Sequence, residues 1–312
     1  MPIMRSTASI SGMVPDEFTA EIEVAVVVRP FESFDVFVVT HSKALVRCAY
    51  LIVGSIELEI EVVGTPEEVW RASATGPGIS SWYVQHTVEE REGGVAVASF
   101  GPGPEMQIPG RVAAWEPPRR IVFDGGEGAG GLAFEWLIEA RDGGTCVVRL
   151  VNTGFGSGDD WDGQYDAMRE GWGLFLLNLK LHLEHFRGQT ATAQLPTATW
   201  AGPREQTWAT LADELGIPAT PVVGDRIQIS ADDAQTLAGT VVDVASWRLA
   251  LLVDQPAPGT AILAAEGTGD HVSVSIWSYL YGADGAAAAK RDESRWAKWL
   301  SDRALPIATD HD

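Results

Sequence analysis

The chain has 312 residues, 46% of them hydrophobic, and a formal net charge of -21 at pH 7, so it is long enough for two domains with real cores. That much negative charge repels a nucleic-acid backbone and an anionic membrane, which excludes both as general partners. Cys48 and Cys146 are the only cysteines, too few for a disulfide framework or a zinc site of their own, and this fits a reducing, cytoplasmic setting.

Residues 1–54 hold the apolar runs IEVAVVV, FDVFVV and ALVRCAYLIV, without the turn chemistry or alternation of the residues after them. No run reaches the roughly 20 apolar residues of a membrane helix, so no membrane insertion is expected. Nor is there a basic start leading into an apolar core and a small-residue cleavage site, as export would need. We read the stretch as an N-terminal extension. A valine codon can initiate translation in bacteria, so the natural start is expected near Val53; an intact native mass beginning at Met1 would refute this.

From Ile56 the pattern becomes regular. Ile56 to Val63 alternates apolar and acidic residues as a half-buried strand does. Next comes GTPEEVWRASATGPGISSWYV, where Thr65 and Glu68 form a capping box and Pro66 occupies the first helical position. Gly76-Pro77-Gly78 then stops the helix after two or three turns, just ahead of a Ser-Ser-Trp-Tyr cluster. Strands are predicted at 86–92, 95–100, 106–116, 119–124, 132–141 and 145–155, punctuated by hairpin turns such as Glu92-Gly93-Gly94 and Asp142-Gly143-Gly144. Strands so closely spaced, with no helices between them, make an antiparallel sheet.

A long helix closes this unit. Trp161, Tyr165, Met168, Trp172, Phe175, Leu179, His182 and Phe186 recur at three- and four-residue steps on one stripe over 161–187. At 1.5 Å per residue the helix is about 40 Å long, enough to cross a sheet. Phe134 and Trp136 share one strand face, with Glu135 on the other, so that strand offers its rings to a common interior into which Trp82 and Tyr83 also turn.

Residues 188–203 are rich in Thr, Ala and Pro and read as a linker. Beyond them a helix is predicted at 204–215, strands at 226–230, 239–244, 248–253, 260–265 and 271–281, and a last helix at 286–300. Helix, meander and helix thus recur, and we read 204–303 as a shortened copy of 55–187, with a tail at 304–312. The fold class is α+β throughout.

The strand IELEIEV, the helix opening TPEEVW, the aromatic SSWYV, the segment GRVAAWEPPRRIVF and the closing GW..FL.NLK.HLEH together resemble the SRPBCC or START-like superfamily. Within it they are closest to the branch named after the activator of the heat-shock-90 chaperone ATPase. The resemblance is close over 55–187 and extends to 204–303 by pattern only. It implies a helix-grip fold, a curved antiparallel sheet around a long C-terminal helix with an apolar cavity between them. It also implies a range of functions, since members bind lipids, sterols or polyketides, some cyclise polyketides, and eukaryotic members of the branch contact a chaperone. Fold alone does not choose among these.

On this picture the expected site is lined by Trp82, Tyr83, Trp115, Phe134, Trp136, Trp172, Phe175 and Leu179 and takes a small apolar or aromatic molecule. Periodicity alone allows the same rings to fill a solid core. No G-x-S-x-G elbow and no acid–base pair of carboxylates stands out, so no catalytic residue is assigned. His182 and His185 are close enough to share a metal but lack a third ligand, and neither metal nor cofactor is expected. Gly125 to Gly131 lacks the Lys-Ser/Thr ending of a phosphate loop, and Asp159, Asp160 and Asp162 suit a helix N-terminus better than an incomplete calcium loop. The expected function is non-enzymatic binding of a small apolar ligand, the second unit acting as a lid or homodimer partner. Two alternatives stand beside it: a polyketide cyclase or aromatase, which predicts His182 or Arg111 projecting into the cavity, and a chaperone-interaction protein.

Overall fold

The computed structural model describes residues 55–101, 103–125, 132–154, 159–231, 236–267 and 269–304; the side chains of 159–167 and 170 lie outside this description. The expectations for residues 1–54, for the glycine-rich run after Gly125, for the aspartates of 159–162 and for most of the tail therefore fall outside the described residues.

The capping box forms as its spacing requires. Glu68 N donates to Thr65 Oγ1 (3.3 Å) and Thr65 N donates to Glu68 Oε2 (2.9 Å) at the start of α1 (Pro66–Ala74). The break is a capped corner: Thr75 Oγ1 donates to Arg71 O (2.7 Å) at the end of α1 and accepts from Gly78 N (3.1 Å) at the start of α2 (Gly76–Ile79). Gly78 is needed there because a Cβ would lie 1.9 Å from Arg71 O.

The first sheet is antiparallel, with strands β1 (Ile56–Val63), β2 (Gln85–Val88), β3 (Val95–Ser99), β4 (Gln107–Glu116), β5 (Arg120–Asp124), β6 (Ala133–Arg141) and β7 (Thr145–Thr153). Its order, β1-β7-β6-β5-β4-β3-β2, places the first strand beside the last and leaves β2 at the far edge. Curled into a half-barrel, it grips α3 (Asp159–His185), whose Leu176, Leu179 and Leu183 pack with Val112, Ile121, Val148 and Leu150 of the sheet.

The expected linker carries two strands instead. β8 (Ala191–Gln194) and β9 (Thr197–Ala201) lie antiparallel along β14 (His271–Tyr281), β8 against Ser278–Tyr281 and β9 against His271–Ser275. Together they take the place on β14 that β1 takes on β7. ATAQ and TATWA hold few large apolar residues, so a partner some 80 positions away, rather than local pattern, makes them strands. After α4 (Arg204–Glu214) come β10 (Arg226–Ser230), β11 (Thr236–Ala245), β12 (Arg248–Gln255), β13 (Gly259–Glu266) and β14, in spatial order, and then α5 (Gly282–Asp302). The second unit thus follows an element order similar to that of the first, with five meander strands, β10 to β14, against six, β2 to β7. Trp200, Trp296 and Trp299 fill the space under α5 together with Leu211, Leu251 and Leu263.

Helix α3 lies between the two sheets. One flank is gripped by the first, and the other rests on the outer face of the second, where Leu174 meets Ala250 and Ile262, and Phe186 meets Tyr279 and Tyr281. This explains the sequence LFLLNLKLHL, which is apolar on more than one stripe: a helix covered on two sides needs two apolar faces. It also explains why β13 is buried along nearly its whole length. Ala261, Leu263 and Ala265 face the core shared by Leu211 of α4 and Trp296 of α5, while Ile262 faces α3. Among the described residues no helix is long and apolar enough to cross a membrane.

Candidate ligand-binding site

A cavity of about 450 Å³ opens between the first sheet, the segment after α2 and Trp172 of α3. Alternation builds its walls. On β6, Phe134 and Trp136 point inward while Glu135 turns out to pair with Arg120 (2.5 Å). Phe123, opposite Phe134 on β5, adds another ring. Over β3 and β4 the lining is made by Ala96, Ala98 and Gly110 beside Ile108 and Pro109, and the small size of the first three leaves space.

The rings meet at angles suited to aromatic packing. Trp82 stands edge-on to Trp136 (5.5 Å, 85°), and Trp172 lies 5.0 Å from Tyr83 and 5.4 Å from Phe134. Trp82 is fully buried, and its indole Nε1–H donates to Ala72 O (2.9 Å), which pins the ring to α1.

Few side chains in the lining are polar, chiefly Tyr83, His86 and Asp124. His86 Nδ1 lies 2.8 Å from Val84 O; a carbonyl only accepts, so Nδ1 carries the proton and the neutral ring keeps its lone pair on Nε2. Burial lowers the His86 pKa from its ordinary value, the bond to Val84 opposing this only in part. Burial likewise raises the Tyr83 phenol, keeping it protonated. Asp124 accepts a forked pair from Arg111, at 2.8 and 3.2 Å.

Of the residues expected to line the site, Trp82, Tyr83, Phe134, Trp136 and Trp172 come together around this cavity, whereas Trp115, Phe175 and Leu179 do not line it. Trp115 sits where α1 covers the end of β4, edge-on to Trp70 (4.9 Å, 74°). Phe175 stands behind Tyr83 (4.4 Å) with its other side stacked on Trp277 of the second unit (5.4 Å, 21°), and Leu179 is fully enclosed in the core. His182 is also outside the cavity, buried against β14 with Nδ1 2.7 Å from Tyr281 Oη, while His185 is exposed. Among the described residues no three His, Cys, Asp or Glu are grouped to hold a metal ion.

Sequence reading missed His86, Phe123 and Asp124. Phe123 carried a usable signal, since RIVFD places it on the same face as Ile121. For the two polar residues no such signal existed.

Residues 64–184 match the family model described as "Activator of Hsp90 ATPase homolog 1-like protein". No curated protein matches the chain. Among solved structures, the di-domain ARO/CYC BexL from the BE-7585A biosynthetic pathway is similar at 18% identity and TM-score 0.39, over 81% of this chain and 100% of that one. DynU16, encoded in the dynemicin biosynthetic locus, is similar at 16% identity and TM-score 0.36, over 79% of this chain and 96% of that one. The Aha1 dimer from Colwellia psychrerythraea is similar at 20% identity and TM-score 0.36, over 43% of this chain and 99% of that one. The matched segment runs from the turn before the capping box to the end of the gripped helix, and over it the chain is similar to the Activator of Hsp90 ATPase homolog 1-like family.

Proposed function

We propose that the first unit binds a small, mainly aromatic molecule in its cavity without transforming it, and does so in the cytoplasm. The observation that carries this reading is a void of about 450 Å³ walled by Trp82, Phe134, Trp136 and Trp172, a size and lining typical of small-molecule pockets. A ligand burying on the order of 300 Å² of apolar surface gains roughly 7 kcal/mol, and after association costs a micromolar dissociation constant is expected.

The test is titration with N-phenyl-1-naphthylamine, an apolar dye that brightens out of water. Saturable uptake is expected, together with a rise in thermal midpoint. Ala98→Trp, which fills the void from β3, should weaken uptake at least about tenfold while moving the unliganded midpoint by only a few degrees. Absence of saturable uptake by the unaltered protein, or full uptake by Ala98→Trp, would reject the reading.

A second reading, an enzyme of the cyclase or aromatase kind, is favoured by one observation: His86 reaches the lining with an unprotonated Nε2, a base in an otherwise greasy wall. Turnover of a poly-β-ketone thioester that disappears in His86→Phe, with dye uptake retained, would establish it over the first.

A further inference from the structure

The Ser-Ser-Trp-Tyr segment is the point at which the two units are tied together. Ser80 faces the first unit, its Oγ accepting from His86 N at the free edge of β2 (2.9 Å). Ser81 faces the second: its Oγ accepts from Ala191 N at the edge of β8 (3.0 Å), and its carbonyl accepts from Tyr281 Oη (3.1 Å). The Trp82 carbonyl accepts from Asn178 Nδ2 on α3 (2.8 Å), and Asn178 Oδ1 in turn accepts from Thr260 Oγ1 on β13 (2.7 Å). Asn178, Thr260 and Tyr281 are all buried, so these bonds have no water to replace them. The Tyr83 ring is backed by Phe175, which stacks on Trp277 of β14.

Alternation on the second sheet places these groups on one surface. Ile276 and Leu280 of β14 point under α5, while Trp277, Tyr279 and Tyr281 point outward to α3 and the first unit. An outer face of a sheet would ordinarily be polar and wet; here it carries three aromatic residues, each at a junction with the first unit or α3.

We infer that the second unit serves as a rigid backing that fixes the wall of the first unit's cavity, with Thr260, Trp277 and Tyr281 as positioning residues for Trp82 and Tyr83. None of the three lines the cavity. Each acts through one intermediary or through the main chain: Thr260 through Asn178, Trp277 through Phe175, and Tyr281 on the Ser81 carbonyl. The consequence for binding rests on the proposed ligand reading, whereas the mechanical claim does not.

The experiment therefore has two readouts on the full chain. Hydrogen exchange of the Trp82 to Val84 amides is followed in Thr260→Val and Tyr281→Phe, with Thr260→Ser as the conservative control and Trp277→Phe against Trp277→Ala for the stack. Dye affinity is measured on the same proteins. Both hydroxyl deletions are expected to speed exchange at 82–84 by about tenfold, while the strands under α5 keep their protection. Thr260→Ser and Trp277→Phe should stay near the unaltered rate. Dye dissociation constants should rise several-fold in the same variants and recover in the conservative ones. Unchanged exchange at 82–84, or acceleration spread evenly over both units, overturns the inference. If the unaltered protein takes up no dye, the ligand reading falls, and the exchange data still decide whether the second unit positions the segment.

Discussion

Lowering the pH from 6.5 to 4 is expected to remove about 3 kcal/mol of folding stability through His182 alone. This histidine is buried between α3 and β14, and burial pushes its pKa down from 6.5 to about 4. The Ser81 carbonyl can only accept, so the Tyr281 hydroxyl donates to it and receives the Nδ1–H of His182 (2.7 Å). A second proton would enter at Nε2, for which no partner exists among the described residues. Because the folded pKa lies below the unfolded one, the unfolded chain binds more protons between the two values. The contribution is present in full above about pH 6.5, declines as pH falls through the window, and is gone below about pH 4. Other groups titrate there too, so the measurement is a difference: urea unfolding free energies at several pH values for the parent and for His182→Gln, which cannot take up that proton. The parent should lose about 3 kcal/mol relative to His182→Gln on going from pH 7 to pH 4. Parallel curves would show that His182 is not held neutral in the folded state.

Trp82→Ala is expected to destabilise the protein by about 4 kcal/mol, in the upper range for large-to-small core changes. The side chain is fully buried, packs edge-on against Trp136 and satisfies the Ala72 carbonyl, so its removal opens a hole and leaves an acceptor unpaired. Trp82→Phe restores most of the volume but not the donor, and a loss of about 1.5 kcal/mol is expected. Denaturant unfolding followed by far-UV circular dichroism measures both, and Trp82→Phe keeps the comparison alive if the alanine variant does not fold. A cost below about 1 kcal/mol for Trp82→Ala would mean that the ring is not the anchor its contacts describe.

Much of the first unit was legible because its signals are local. The capping box needs only Thr65 and Glu68, the corner only Gly76-Pro77-Gly78, and β1 only the alternation of IELEIEV. Long-range features were not legible in this way. β8 and β9 are held by β14, which lies some 80 residues downstream, and their own side chains are too small to announce a strand. The stripe on α3 identified Trp172 and Phe175 as inward-facing, yet a helix between two sheets has two insides. Trp172 meets the cavity, and Phe175 meets the second unit as well as Tyr83. Trp115 was placed by residue type, and only the packing of α1 over the end of β4 decides that it meets Trp70 instead. His86 and Asp124 were invisible for the opposite reason, since a polar residue on a strand is read as solvated unless the curvature of the sheet is known.

The position of α3 between two sheets has a consequence for how such a chain can change over time. Leu174 and Phe186 are covered by the second unit, so losing that unit would turn them out into water. A lineage could shed it only after repainting that flank of the helix with polar side chains, several at once. Until then, both units are bound to a common spine, and neither is free to be discarded.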